Sequence, residues 1–295
     1  MHDRKIITFG ATDALLLLTA TLWGINFSAI KYANTVFPPL TFIWLRVILS
    51  MVTLLVVAFM QQKDWPERRD MLVLIGLGVL GNGLYQLLFV NGVTRTQVAD
   101  SALIVATAPA FIAVMSHFRG VDRFNTRTLL GIGLSIIGVA IIVFGTTQLP
   151  QTRSSSILGV GLVVGAVICW SLFTVALKPY TTRINPIQIN ALTMLGGGLA
   201  MVLITPVALR PVEFLTVPAT IWATLFYSSV ISMGIAYLFW FRGVRVLGPT
   251  RTSVYGNLQP AVAILFAWIF LHETPTLWQG IGAGTIIGGI VLTRS

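Results

Sequence analysis

Ten stretches of this chain, each about twenty residues long, are apolar and nearly free of charge, and that pattern leaves few folds open. Eight of them, residues 71–94, 101–118, 128–152, 154–177, 184–209, 214–241, 252–272 and 274–293, contain no Asp, Glu, Lys or Arg. The first run, about 13–32, has Lys31 near its end, and the second, about 40–61, holds Arg46. A helix rises about 1.5 Å per residue, so about 20 residues cross the roughly 30 Å of hydrocarbon in a bilayer. Open sheet is excluded there because its unpaired backbone groups are too costly in lipid, and the alternating pattern of a barrel is missing. With 56% hydrophobic and 9% charged residues, against about 25% charged in a soluble domain, the chain lacks the polar surface to stay dissolved. The expectation is an all-α membrane protein of ten transmembrane helices.

A formal charge of +10 is also compatible with nucleic-acid binding, so the placement of the 19 Lys and Arg decides. If both termini share one side, that side receives Arg4, Lys5, Lys63, Arg68, Arg69, Arg119, Arg123, Arg127, Lys178, Arg183, Arg242, Arg245, Arg251 and Arg294. The other side holds Lys31, Arg95, Arg153 and Arg210, with Arg46 inside its span. This bias predicts a multi-pass inner-membrane protein with both termini in the cytoplasm, partnered by lipid rather than nucleic acid. A monomer is the separate expectation for its assembly. The charged start and apolar run resemble a secretory signal, but the run continues through Trp23 and Asn26 to Lys31 as half of a repeat, so no cleavage is expected. Cys169 is the single cysteine, which rules out an internal disulfide and leaves packing as its expected role.

The chain also matches itself. WGINFSAIKYANTVFPPL, from Trp23, aligns with WSLFTVALKPYTTRINPI, from Trp170, so that Trp23 and Trp170, Ala29 and Ala176, Lys31 and Lys178, and Pro39 and Pro186 stand 147 residues apart. Farther on the offset is 151, pairing Gly83 with Gly234, Gly92 with Gly243 and Pro109 with Pro260. Gly131 and Gly133 then match Gly280 and Gly282 at an offset of 149. The repeats are expected at 1–148 and 149–295, with five runs each. Five is odd, so the second unit enters the membrane from the opposite face. Such inverted repeats can open a central site to either side through two related packings, which is the basis of alternating access.

With these residues in place, the chain resembles EamA-type carriers of the drug/metabolite transporter superfamily. The likeness rests on TLWGINFSAIKYA in the first run, ALIVATAPAFIAV in the fourth, the tail NLQPAVAILFAWIFLHETPTLWQGIGAGTIIGGIVL and the five-plus-five arrangement. GLYQLLFVNGVTRT and the tail further resemble YddG-like exporters of aromatic and other amino acids. The resemblance implies that runs one, three, four, six, eight and nine surround a central cavity while two, five, seven and ten lie outside. It also implies that Glu273 of LHET is the acid following the ninth run. HFRGVDRFN in the first half offers only Asp122, out of register, which is not expected to be its equivalent.

Asn82, Tyr85, Gln86 and Phe89 fall at i, i+3, i+4 and i+7, one face of a helix, with Met233, Ala236, Tyr237 and Trp240 as register mates. A polar and aromatic face in lipid meets either another helix or a wet cavity. Trp23, Asn26 and Phe27, Trp170 and Thr174, and Tyr255, Asn257 and Gln259 have the same character, which favours a cavity. Aromatic walls with a few amides suit a small amphipathic solute. Pro109 and Pro260 are expected to interrupt their helices and are the hinge or gate candidates. The glycines of GIGLSIIG and GIGAGTIIGG read as packing faces. Lys31 and Lys178 are expected to be interfacial anchors, and Arg46, about 9 Å below the outer face, to snorkel toward it. Asp100 is placed to pair with Arg95 or to meet an ammonium group.

No Asp or Glu lies near the middle of a run and His117 is a weak substitute, so gradient-driven export or exchange is the simplest mechanism. No metal-ligand cluster, Walker loop or nucleophile–base pair appears, so neither cofactor nor metal is expected. Three functions compete. Export of amino acids leads. A carrier of anionic sugar nucleotides or phosphates would need a pair of deep cations, and none is expected at mid-depth. An intramembrane enzyme would need a catalytic set within reach, whereas His117 and His272 fall on opposite sides.

Overall fold

The computed structural model describes residues 10–61, 64–120, 155–208 and 213–294, with some residues between 130 and 145. Asp122, Arg4, Lys5, Lys63, Arg123, Arg127, Arg153, Arg210, the repeat boundary at 148 and much of the run 128–152 lie outside them. Among the described residues the secondary structure is helical throughout, and eight stretches are long and apolar enough to cross a membrane. The elements are α1 (Ala11–Ala33), α2 (Pro39–Gln61), α3 (Arg68–Gly78), α4 (Tyr85–Val93), α5 (Val98–Val105), α6 (Ala108–Phe118) and α7 (Ile157–Thr181). They continue as α8 (Pro186–Ala208), α9 (Ala219–Phe226), α10 (Ala236–Leu247), α11 (Pro249–Tyr255), α12 (Gln259–Leu271) and α13 (Leu277–Arg294). A π-helical turn at Val79–Leu84 joins α3 to α4, and another at Tyr227–Ile235 joins α9 to α10.

Local chemistry sets the ends. Asp13 Oδ2 accepts from Gly10 N at the start of α1, and Ser156 Oγ accepts from Gly159 N at the start of α7, each satisfying an N–H that the helix cannot. α6 and α12 begin with a proline in the first turn, where its missing N–H costs nothing. α12 ends at His272, whose φ of 54° reverses the chain and carries Glu273 toward α1.

Contacts at the two ends fix the direction of each element. At one end Lys31 pairs with Glu273, Tyr32 bonds Thr220, Ser156 N donates to Arg95 O, and Gln97 N donates to Ser155 Oγ. At the other, Arg242 bonds Thr12, Arg183 pairs with Asp70, Gln188 bonds the Asp64 carbonyl, and Lys178 donates to the Val244 carbonyl. α1 therefore runs opposite to α7, α2 to α8, the α3–α4 stretch to α9–α10, and α5–α6 to α11–α12. The described residues between 130 and 145 are helical and lie along α13. An added Cβ at Gly138 would meet Ile286 and the Gly282 carbonyl, and one at Gly145 would meet Trp278.

Where α3 meets α8, glycines bring the backbones into contact. An added Cβ on Gly78 would lie 2.0 Å from the Thr193 carbonyl oxygen, and one on Gly196 would lie 1.9 Å from that of Ile75. Small residues permit this approach, and it draws α2, α8 and the first π turn together behind the centre of the bundle.

Candidate functional site

The two interrupted stretches explain how polar groups survive at the centre. A π turn spreads its backbone, and carbonyls around the second one accept side-chain donors: Trp23 Nε1 donates to Ser232 O at 2.9 Å, and Asn190 Nδ2 to Gly234 O at 3.0 Å. Ser228 Oγ donates to Asn26 Oδ1 at 2.7 Å, tying α1 to the same turn. In the partner stretch, α5 breaks at Ala106 and Thr107 before Pro109, just as α11 passes through a 3-10 turn at Gly256–Leu258 before Pro260.

These breaks surround a cavity of about 50 Å³, room for a few water molecules. Its wall is aromatic. Trp23 and Trp170 meet edge to face at 5.5 Å and 87°, and Trp23 also contacts Tyr237 at 5.6 Å and Trp240 at 5.1 Å. Tyr85 lies 5.3 Å from Trp170 and stacks on Phe89 at 5.3 Å, and Phe89 in turn meets Phe27. Such pairs contribute about 0.5–1.5 kcal/mol each beyond area burial, so the cluster also bonds the halves of the molecule together.

Of the residues singled out from sequence, the structure brings Trp23, Asn26, Phe27, Tyr85, Gln86, Phe89, Trp170, Tyr237, Trp240, Gln259 and Pro109 to this cavity. It does not bring the others. Asn82 sits inside the π turn, which rotates it away from Tyr85 and Gln86 and against Gly197. Thr174 is buried with its hydroxyl unpartnered, and Asn257 lies in the 3-10 turn, both off the cavity wall. Tyr255 donates its hydroxyl to Asp13 at the end of the bundle, and Pro260 supports α12 from its first turn.

Two charged residues, Arg46 and Asp100, differ from expectation, while Lys31 and Lys178 are held at the ends of the bundle. Arg46 does not snorkel: it is 2% exposed, lines the cavity, and donates from Nε to Met233 Sδ at 3.1 Å. α2 is thus not wholly peripheral, because its packing on α8 and the second π turn leaves Arg46 facing the centre. Asp100 does not take Arg95, which bonds Asn91. It is buried and accepts from Ser155 Oγ at 2.5 Å and Gln279 Nε2 at 2.8 Å. Lys31 is held in an ion pair with Glu273 at 2.5 Å, and Glu273 also accepts from Val98 N at 2.8 Å. Lys178, the register mate of Lys31, instead caps the end of α10 through the Val244 and Arg245 carbonyls.

No group of three or more His, Cys, Asp or Glu among the described residues is arranged to hold a metal ion. The chemistry available is recognition: aromatic faces, amides and one guanidinium.

The profile of the EamA-like transporter family matches residues 11–144 and 157–295. The chain belongs to that family. EamA membership makes it a multi-pass membrane transporter rather than an enzyme. The uncharacterized transporter YyaM of Bacillus subtilis (strain 168) is 26% identical over 95% of this chain and 92% of its own length. The probable terminal-alkyne amino-acid exporter of Streptantibioticus cattleyicolor is 23% identical over 94% of this chain and 91% of its own. A crystal structure at 16% identity superposes with a TM-score of 0.64 over 94% of both chains, so this EamA protein shares its fold.

Proposed function

We propose that this EamA protein is a secondary carrier that exports amino acids with apolar or aromatic side chains across the inner membrane by alternating access. The observation that carries this reading is the meeting of register mates at the cavity. Trp23 contacts Trp170, 147 residues on, and Gln86 Nε2 reaches Tyr237 Oη, 151 residues on, at 3.5 Å. Residues touch their own symmetry mates only near a symmetry axis. The opposed directions of the four matched pairs of stretches, and the matched π turns and helix breaks, support ten spans in two inverted repeats of five, 1–148 and 149–295. The cavity then lies between two halves that can rock about it.

The cargo follows from the wall. Aromatic faces accept an apolar side chain, while Asn26, Gln86 and Gln259 offer hydrogen bonds to a polar headgroup. The amino-acid exporter among the relatives is consistent with this. Arg68, Arg69, Lys178, Arg183, Arg242, Arg245 and Arg251 gather toward one end, against Lys31 and Arg95 at the other, which supports cytoplasmic termini. The absence of mid-span carboxylates in the sequence supports transport without obligatory proton coupling.

The test is flux of labelled phenylalanine into liposomes holding the purified protein, with no proton gradient. Uptake and exchange above protein-free liposomes are expected. No flux for any amino acid, with flux for another class of solute, overturns the cargo.

A further inference from the structure

Arg46 is the feature the fold leaves uncompensated. Its Nε meets only the weak acceptor Met233 Sδ, and its Nη1 is buried without a hydrogen-bond partner. The Phe42 ring, 5.8 Å from the guanidinium carbon, offers partial compensation. The ion pairs found among the described residues, Lys31 with Glu273 and Arg183 with Asp70, lie at the ends of the bundle, and none of the described carboxylates pairs with Arg46. A guanidinium keeps its proton where a lysine would shed it, so burial does not relieve the charge. Burying it unpaired is strongly unfavourable, and a lipid-facing arginine would escape toward the interface. This one points inward, onto the cavity wall.

We propose that Arg46 is the carboxylate-recognition group of the cavity, so that the solute supplies the counter-charge the protein lacks. This rests on the carrier reading for the site, but not on an amino acid as its cargo. Gln86 completes the headgroup site. Its Nε2 approaches the same sulfur, Met233 Sδ, at 3.7 Å, and its Oε1 is buried without a partner. Guanidinium and amide thus converge on one atom, within the span of an amino-acid headgroup. A carboxylate binds at Arg46, and an ammonium binds at Gln86 Oε1, on the amide whose Nε2 reaches the Tyr237 hydroxyl. Arg46 is the one Lys or Arg lining the cavity among the described residues. A phosphomonoester carries about 1.5 to 2 negative charges near pH 7 and leaves one guanidinium insufficient, so the site selects monocarboxylates over it.

The experiment follows thermal unfolding and tryptophan fluorescence of the purified protein with three probes sharing one aromatic body: phenylalanine, 3-phenylpropionate and phenethylamine. The two carboxylates should raise the unfolding midpoint and change the fluorescence, and phenethylamine should do neither. Arg46→Gln should weaken carboxylate binding at least tenfold, and Arg46→Lys should restore part of it, because the bound carboxylate returns the proton that burial removes from the empty site. Arg46→Met should unfold at a higher temperature than wild type without ligand, because it removes a buried unpaired charge, which separates lost recognition from misfolding. The assignment is overturned if neither carboxylate binds wild type, if Arg46→Gln binds them within twofold of wild type, if phenethylamine binds as well as they do, or if Arg46→Met is less stable than wild type. Binding of 3-phenylpropionate that requires Arg46, with no response to phenylalanine, keeps the assignment and removes the amino-acid cargo. Phenylalanine binding that survives Arg46→Gln does the reverse.

Discussion

Replacing Gly196 by alanine places a methyl group where α3 leaves no room. The new Cβ would stand 1.9 Å from the Ile75 carbonyl oxygen, 2.8 Å from its carbon and 3.0 Å from Val79 N, where ordinary contact begins near 3.4 Å. All three are backbone atoms at the entry to the first π turn, so no side chain can swing aside. Relief requires α3 and α8 to separate by about 1.5 Å, and a gap of only 0.5–1 Å already forfeits a quarter to a half of each dispersion contact across it. Overpacking of this kind costs about 1–3 kcal/mol and sometimes more, and rigid backbone on both sides puts this variant at the upper end. The internal control is Gly76→Ala on the facing helix α3, whose added Cβ meets nothing within 4 Å. It should gain up to about 1 kcal/mol from better helix propensity. Equilibrium unfolding of both variants in mixed detergent micelles should therefore separate them by about 4 kcal/mol, in opposite directions from wild type. If Gly196→Ala matches wild type, or Gly76→Ala is the less stable of the two, the close approach of α3 and α8 is refuted.

Other expectations follow from the same contacts. Trp170→Ala removes ring contacts with Trp23, Tyr85, Phe173, Tyr237 and Trp240, and should lower stability by about 3–5 kcal/mol and abolish phenylalanine flux. Trp170→Phe should keep most of the stability, and unchanged flux in Trp170→Ala would remove the ring from the transport path. Lys31→Met and Glu273→Met should differ. The ion pair is partly exposed and contributes at most about 1 kcal/mol, but Glu273 also accepts from Val98 N, which Glu273→Met leaves unpaired, so Glu273→Met should be the more damaging in unfolding and flux assays. Equal effects would mean that the bond to α5 contributes nothing.

The apolar runs were legible because bilayer thickness dictates their length, and most described helices fall within a few residues of them. The aromatic wall was legible too, since Trp23 and Trp170 stand in register and Tyr85, Gln86 and Phe89 share a helical face. What the sequence concealed lies at the irregular turns. A constant 100° per residue fails across a π turn, which is why Asn82 leaves the face of Tyr85, and the 3-10 turn redirects Asn257 in the same way. Arg46 was misplaced for a different reason. Counting rise along α2 measures depth but not rotation, and its inward rotation is set by how α2 packs on α8. The signal that pointed to it was simple: an arginine inside an otherwise uncharged span is a functional candidate by default.

The central claim is that one cavity between two opposed halves opens in turn to each side of the membrane. Ser232 lines that cavity and is 2% exposed, so a Ser232→Cys variant in a background with Cys169→Ala carries one reporter thiol. Its labelling by a membrane-impermeant thiol reagent, compared in right-side-out and inside-out vesicles, is the direct measurement. Labelling from both sides, slowed by phenylalanine on each, is the predicted result. Labelling from one side only, or at a rate phenylalanine leaves unchanged, would contradict the account.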